Sequence, residues 1–147
     1  MPTSKLTPDE RAYKSSDAMV SADSAFRRLG ARLESMSAGS AKVFLKIKQE
    51  HINGHGFCHG GVIFTLADAT FGFACNSYNV KAVAQNCSIT YIRPVKEKDA
   101  LTSKAEEIEK FGRSAIYDVK IKNQNDDLVA IFRGHSRYIG ANLFDEK

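Results

Sequence analysis

The sequence predicts an α+β fold in which a curved antiparallel sheet wraps one long buried helix, and three observations carry that prediction. A nearly unbroken apolar stretch, "GVIFTLADATFGFACNS" from Gly61, is too long for a buried strand and too apolar all round for a surface helix. Four strand-like segments follow it, at about 82–93, 100–110, 113–123 and 127–138. One alternating segment precedes it: "AKVFLKIKQ" (41–49) sets Val43, Leu45 and Ile47 on one face and Lys42, Lys46 and Lys48 on the other. One helix against the concave face of such a sheet is the economical packing.

The remaining elements follow in order. Thr7 can cap a helix that has Pro8 at its first position and Asp9 and Glu10 near the positive dipole end; it runs to Leu29 and stops at Gly30. Phe111-Gly112 and "NQNDD" (123–127) mark turns between the late strands. No repeat or low-complexity tract appears. The division is an N-terminal helical segment over 1–30, a principal domain over 31–140 and a tail over 141–147.

The chain has 147 residues, the length of one domain. Its net charge of +4 and pI of about 9.0 favour an anionic partner mildly. No Arg-rich face or basic run accompanies that charge, which argues against nucleic acid. Cys58, Cys75 and Cys87 are odd in number and lack C-x-x-C spacing, so reduced thiols in the cytoplasm are expected. The N-terminal stretch shows no apolar leader, and no segment is long enough to cross a membrane; a soluble protein is expected.

On a helical wheel, Gly61, Thr65, Asp68 and Gly72 form one narrow stripe of small or polar residues between bulky flanks. Asp68 is out of place there, because a buried carboxylate costs several kcal/mol unless paired. No Lys, Arg or His lies three or four positions away. It is either a core acid satisfied by a distant donor or a general base or nucleophile in a desolvated cleft. Gly60 and Gly61 open the helix, and their free N–H groups at the positive dipole end can receive an oxyanion. Gly61 and Asp68 lie about 10 Å apart along one helix axis. A single carbonyl cannot touch both, so a two-fold dimer with a shared site is expected.

The stretch "HINGHGFCHGG" (51–61) places His51, His55 and His59 four residues apart. On a helix they would suggest a metal face, but Asn53-Gly54 is a turn signal and no further ligands stand out, so no metal is expected. "GHGFCHG" also fails the dinucleotide fingerprint. A Cys58–His59 nucleophile pair is disfavoured because sequence neighbours rarely face each other productively. A turn that brings Asn53 and His59 beside the helix start remains.

These residues resemble a known family. "NGHGFCHGGVIFTLADATFGFACNS", "VAQNCSITYIRPV", "KFGRSAIYDVKIKNQ" and "VAIFRGHSR" look like the hotdog-fold acyl-CoA thioesterases, in particular the phenylacetic acid degradation (PaaI-type) subgroup, over about residues 30–140. The resemblance implies that Asp68 is the catalytic carboxylate. It implies that Gly60 and Gly61 supply the N–H that polarises the thioester carbonyl, supported by Asn53 and His59. It also implies homodimers that join their sheets and pair into tetramers, with intersubunit sites. The implied substrate is an acyl-CoA, phenylacetyl-CoA or a ring-hydroxylated aryl-acetyl-CoA, with coenzyme A as part of the substrate and no cofactor. Thr65 is a candidate to orient water, Phe57, Phe64 and Phe71 to line the acyl pocket, and Arg93, Arg113 and Lys110 to meet CoA phosphates. A dehydratase-type hotdog enzyme and an acyl-CoA-binding protein without turnover are the alternatives.

Overall fold

The computed structural model describes residues 5–146. The chain runs α1 (Pro8–Ala22), α2 (Ser24–Leu29), β1 (Arg32–Ser37), β2 (Ser40–Lys46), one turn of 3-10 helix (Gln49–His51), α3 (Gly60–Cys75), β3 (Ala82–Tyr91), β4 (Ala100–Phe111), β5 (Ser114–Lys122) and β6 (Leu128–Tyr138). The strands form one antiparallel sheet in the order β1-β2-β4-β5-β6-β3. Residues 1–4 and Lys147 of the expected terminal segments lie outside the described residues.

Alternation in the central strands builds the concave wall. Val43 and Leu45 of β2, Leu101 and Ala105 of β4, Tyr117, Val119 and Ile121 of β5, and Phe132 of β6 are buried against α3. From α3 itself Ile63, Leu66, Ala67, Phe71, Phe73 and Ala74 are buried. The helix is held along its length as well as packed. The Thr70 hydroxyl lies 2.7 Å from both the Leu66 carbonyl and the Ser103 hydroxyl, linking α3 to β4. At the far end Asn76 brackets Ala82: its Oδ1 accepts from the Ala82 N–H and its Nδ2 donates to the Ala82 carbonyl, both at 3.0 Å. Ser77 accepts from the Gly39 N–H at 2.8 Å, tying the helix end to the β1–β2 hairpin.

Two expectations need correction. The single helix expected from Thr7 to Leu29 is broken at Asp23, whose carboxylate accepts from the Phe26 N–H and caps a separate short helix. The break lets Phe26 turn into the core, edge-on to Phe73 at 4.9 Å. β1 was not expected either. A bulge between Leu33 and Ser35 places its two inward residues, Leu33 and Met36, three apart, so the strand has no period-two signature. Thr7 does cap α1 as expected, in a reciprocal pair with Glu10.

Phe71 fixes one glycine. A Cβ at Gly134 of β6 would stand 2.7–2.9 Å from the Phe71 ring, itself only 1% exposed. Gly134→Ala therefore overpacks the helix–sheet interface. The expected loss is about 1–3 kcal/mol of unfolding free energy, read as a lower denaturant midpoint at unchanged slope.

Candidate active site

The loop before α3 is shaped by its own polar side chains. Asn53 Oδ1 accepts from the His55 N–H (2.9 Å) and the Phe57 N–H (3.2 Å), while the Asn53 N–H donates to the Phe57 carbonyl (2.7 Å). The Cys58 N–H then donates to Val95 and the His59 N–H to the His51 carbonyl, anchoring the approach to the helix. His51 is buried and structural: Nδ1 accepts from Lys48 N–H and Nε2 faces the Leu29 carbonyl, each at 3.0 Å. The three histidines thus occupy a turn rather than one helical face.

His59 is the N-cap of α3, and its Nδ1 accepts from the Gly61 N–H at 2.8 Å. This corrects the expectation that both glycine N–H groups are free. Gly61's is engaged. The Gly60 N–H has no acceptor among the described residues. Tyr91, which the sequence reading missed, donates its hydroxyl to the Gly60 carbonyl at 2.8 Å. The only hint of it was an aromatic at the end of a strand that leads into Arg93-Pro94.

A cavity of about 360 Å³ opens beside this helix start, lined by Phe57, Gly60, Ile63, Tyr91, Ile92 and Arg93 among others. A larger one, about 570 Å³, lies on the outer face of the sheet between outward residues of β2, β4 and β5 such as Lys42, Lys104 and Lys120. Its charged walls do not suit an apolar acyl group, and it is remote from α3.

The stripe on α3 is uncovered in the subunit. Gly61 and Thr65 are exposed, Asp68 and Gly72 half-buried, and a Cβ at Gly72 would meet nothing within 4 Å. Burial raises the Asp68 pKa, and the like charge of Asp23 raises it further. No cation or hydrogen-bond donor among the described residues offsets them. Thr65 donates to the Gly61 carbonyl at 2.8 Å, a bond to its own helix that leaves its oxygen able only to accept. Asp68 and Gly60 are eight residues apart, about 12 Å along the axis. One subunit does not bring them together.

The other expected site residues divide. Phe57 and Arg93 line the cavity at the helix start, where Arg93 Nη1 donates to the Leu128 carbonyl at 2.6 Å. Phe64 is half-buried, edge-on to Phe132 at 5.5 Å. Phe71 lines neither cavity: it is core, between Tyr117 and Phe132. Arg113 sits at the β4–β5 turn, at the end of the sheet that holds the C-terminus of α3. Lys110, at that same end, stands 3.2 Å over the Tyr78 ring and 4.0 Å from Glu107. Cys58 is unsuited to attack, because burial first and then Asp99 push its thiol up to about 11.

Comparisons with known proteins establish the family and the fold. The thioesterase superfamily model matches residues 55–130. Acyl-coenzyme A thioesterase PaaI of Escherichia coli is 38% identical over 92% of this chain and 97% of its own length. The solved structure of the E. coli PaaI protein aligns with a TM-score of 0.90 over 92% of this chain and 99% of that one. A structure of smu.793 from Streptococcus mutans bound to acetyl CoA aligns with a TM-score of 0.74 at 28% identity, over 76% of this chain and 90% of that one. The chain belongs to the thioesterase superfamily. It has the hotdog fold and is a thioesterase, an enzyme that hydrolyses thioesters.

The raised Asp68 pKa has a definite sign in stability. Because the folded-state value lies above the unfolded one, the acid binds its proton more tightly when folded, and stability falls as pH rises through that interval. Asp68→Asn removes this penalty. Its melting temperature should exceed the wild type's at pH 7, and the difference should shrink as pH falls below the ordinary carboxylate range, as followed by thermal denaturation over pH.

Proposed function

We propose that the protein hydrolyses acyl-CoA thioesters to free acid and coenzyme A, with an aryl-acetyl group such as phenylacetyl or its ring-hydroxylated form as the acyl moiety. The observation that carries the reading is Asp68: an unneutralised, half-buried carboxylate on an uncovered stripe of an otherwise buried helix. The names of the E. coli relative and of the acetyl-CoA-bound structure support the CoA ester.

In this reading the thioester carbonyl oxygen accepts from the Gly60 N–H at the positive end of α3, which stabilises the charge that develops on it. Asp68 of the partner subunit then removes a proton from a water that attacks the carbonyl carbon, or attacks that carbon itself to give an anhydride that water opens. Either way the C–S bond breaks and the thiolate of CoA leaves and takes up a proton. Phe57, Ile63 and Tyr91 supply apolar walls of the cavity beside the helix start, and Arg93 lines it as well. Asn53 and His59 shape and cap the loop that carries Gly60. No step calls for a metal or cofactor.

The partner arrives along β3. Over Ala82–Tyr91 this ten-residue edge strand carries no charged residue and no proline, the usual protections of an exposed edge. Pairing of two β3 edges about a two-fold sets two α3 helices antiparallel and offers each Asp68 to the other's Gly60. The three free cysteines suit a reducing, cytoplasmic setting.

Thiol release from a panel of acyl-CoAs that includes phenylacetyl-CoA tests the activity with a thiol-trapping dye. Cys58 and Cys75 are buried, which limits the protein's own background chiefly to Cys87. Asp68→Asn should lower kcat at least about a hundredfold with oligomeric state intact; full activity would sink the assignment. Where the wild type is active, the acidic limb of its kcat/KM profile should lie above the ordinary aspartate pKa, since the base works only when ionised.

Subunit sharing is tested by mixing. Gly60→Ala, which meets the Tyr91 ring, and Asp68→Asn should each be inactive. Unfolded and refolded together at equal amounts, they should recover about a quarter of wild-type activity, because half the dimers carry one intact site. No recovery with heterodimers demonstrably present would place both groups in one subunit.

A further inference from the structure

Two consecutive glycines open α3, and neither has a Cβ to restrain the peptide planes around it. The Gly60–Gly61 peptide is nevertheless gripped at both ends. Its carbonyl accepts from the Tyr91 hydroxyl at 2.8 Å, and its N–H donates to His59 Nδ1 at 2.8 Å. The preceding peptide, His59–Gly60, is held through its carbonyl, which accepts from the Val62 and Ile63 N–H groups, and the Cys58–His59 peptide before it is anchored by the His59 N–H on the His51 carbonyl. What remains adjustable is Gly60 itself, and the grip of Tyr91 and His59 removes that freedom.

The tyrosine is not there because burial demands it. The residue is 48% exposed although it shares the inward face of β3 with Cys87 and Ile89, and it ends that strand 31 positions along the chain from Gly60. The ring also stands 3.1 Å from where a Gly60 Cβ would be, so a side chain there would have to push the tyrosine aside. The hydroxyl, amide and imidazole form one chain of hydrogen bonds, in which each bond polarises the next.

We propose that Tyr91 is a positioning residue for thioester hydrolysis: through the Gly60–Gly61 peptide it fixes the direction of the unshared Gly60 N–H. This rests on the reading that the Gly60 N–H receives the thioester oxygen. A donor aimed at a developing oxyanion loses much of its effect when it swings by a fraction of an ångström, while ground-state binding of the long CoA ester is hardly changed. The signature is therefore a fall in kcat without a matching rise in KM.

Tyr91→Phe is the test, since it keeps the ring and removes only the hydroxyl. The expected result is a kcat about tenfold lower with KM within about twofold of wild type. The acidic pH limb should not move, because Asp68 is untouched. In substrate-free protein, hydrogen exchange at the Gly61 amide should quicken, a readout that needs no turnover. A wild-type kcat, a loss carried by KM alone, or unchanged Gly61 exchange would each overturn the inference. Running Asp68→Asn alongside separates the failures. Full activity in Tyr91→Phe with a dead Asp68→Asn removes only the clamp, whereas full activity in both removes the site reading with it.

Discussion

Everything in this molecule depends on α3 being packed on nearly every side and left bare on one. Each large side chain it buries, such as Leu66, Phe71 or Phe73, contributes about 1.5–3 kcal/mol. Those contacts fix the rotation of the helix about its axis. Polar pins fix its height: Cys58 on Val95 and His59 on His51 at the start, Thr70 on Ser103 in the middle, Asn76 on Ala82 and Ser77 on Gly39 at the end. Rotation and height together determine what the bare stripe presents. The site thus inherits its precision from the hydrophobic core rather than from contacts of its own.

The electrostatics of the stripe run against the fold. Asp68 lies near Asp23, and its charge adds to the burial that holds the Cys75 and Cys87 thiols in their neutral form. An anion is unwelcome there, so the carboxylate holds its proton more tightly, the direction the proposed base needs, and the folded protein carries the cost. The opposite holds at the helix start, where the dipole and the unshared Gly60 N–H favour negative charge. About 12 Å of helix keep the two environments from cancelling each other. A reaction that needs a base at one place and an anion hole at another is served by that separation, provided a second copy closes the gap.

Much of this was legible in the sequence because it obeyed a period. β2, β4, β5 and β6 alternate, α3 does not, and the odd polar residues of α3 fall on one line of the wheel. What was not legible breaks a period or crosses the chain. The bulge at Leu33/Ser35 hid β1, and an aspartate inside a helix-like run hid the break at Asp23. Phe71 reads like its neighbours Phe64 and Phe57, yet only Gly134, 63 positions further on, explains why it points into the core. The bonds of His59 and Tyr91 to the glycine peptide have no sequence signature, since each depends on where an anchored loop or a strand end comes to rest.

The bare stripe and the bare edge lead to the same conclusion from different physics. A helix packed on its other faces leaves Gly61 and Thr65 exposed and Asp68 and Gly72 half-buried, with room at Gly72 for atoms the subunit does not supply. A substrate arm lying along the stripe would cover it only during turnover. Among the described residues the outer edge of β3 has no strand partner, over a stretch without charge or proline, and a small ligand cannot satisfy its row of N–H and C=O groups. A second β3 can. In the proposed dimer, because α3 is packed firmly on the sheet that contains β3, the two-fold that pairs the edges would also set the spacing between the stripes. In that dimer the site geometry would be a consequence of sheet pairing, and a change that slips the register of β3 would misplace Asp68 without touching any residue near it.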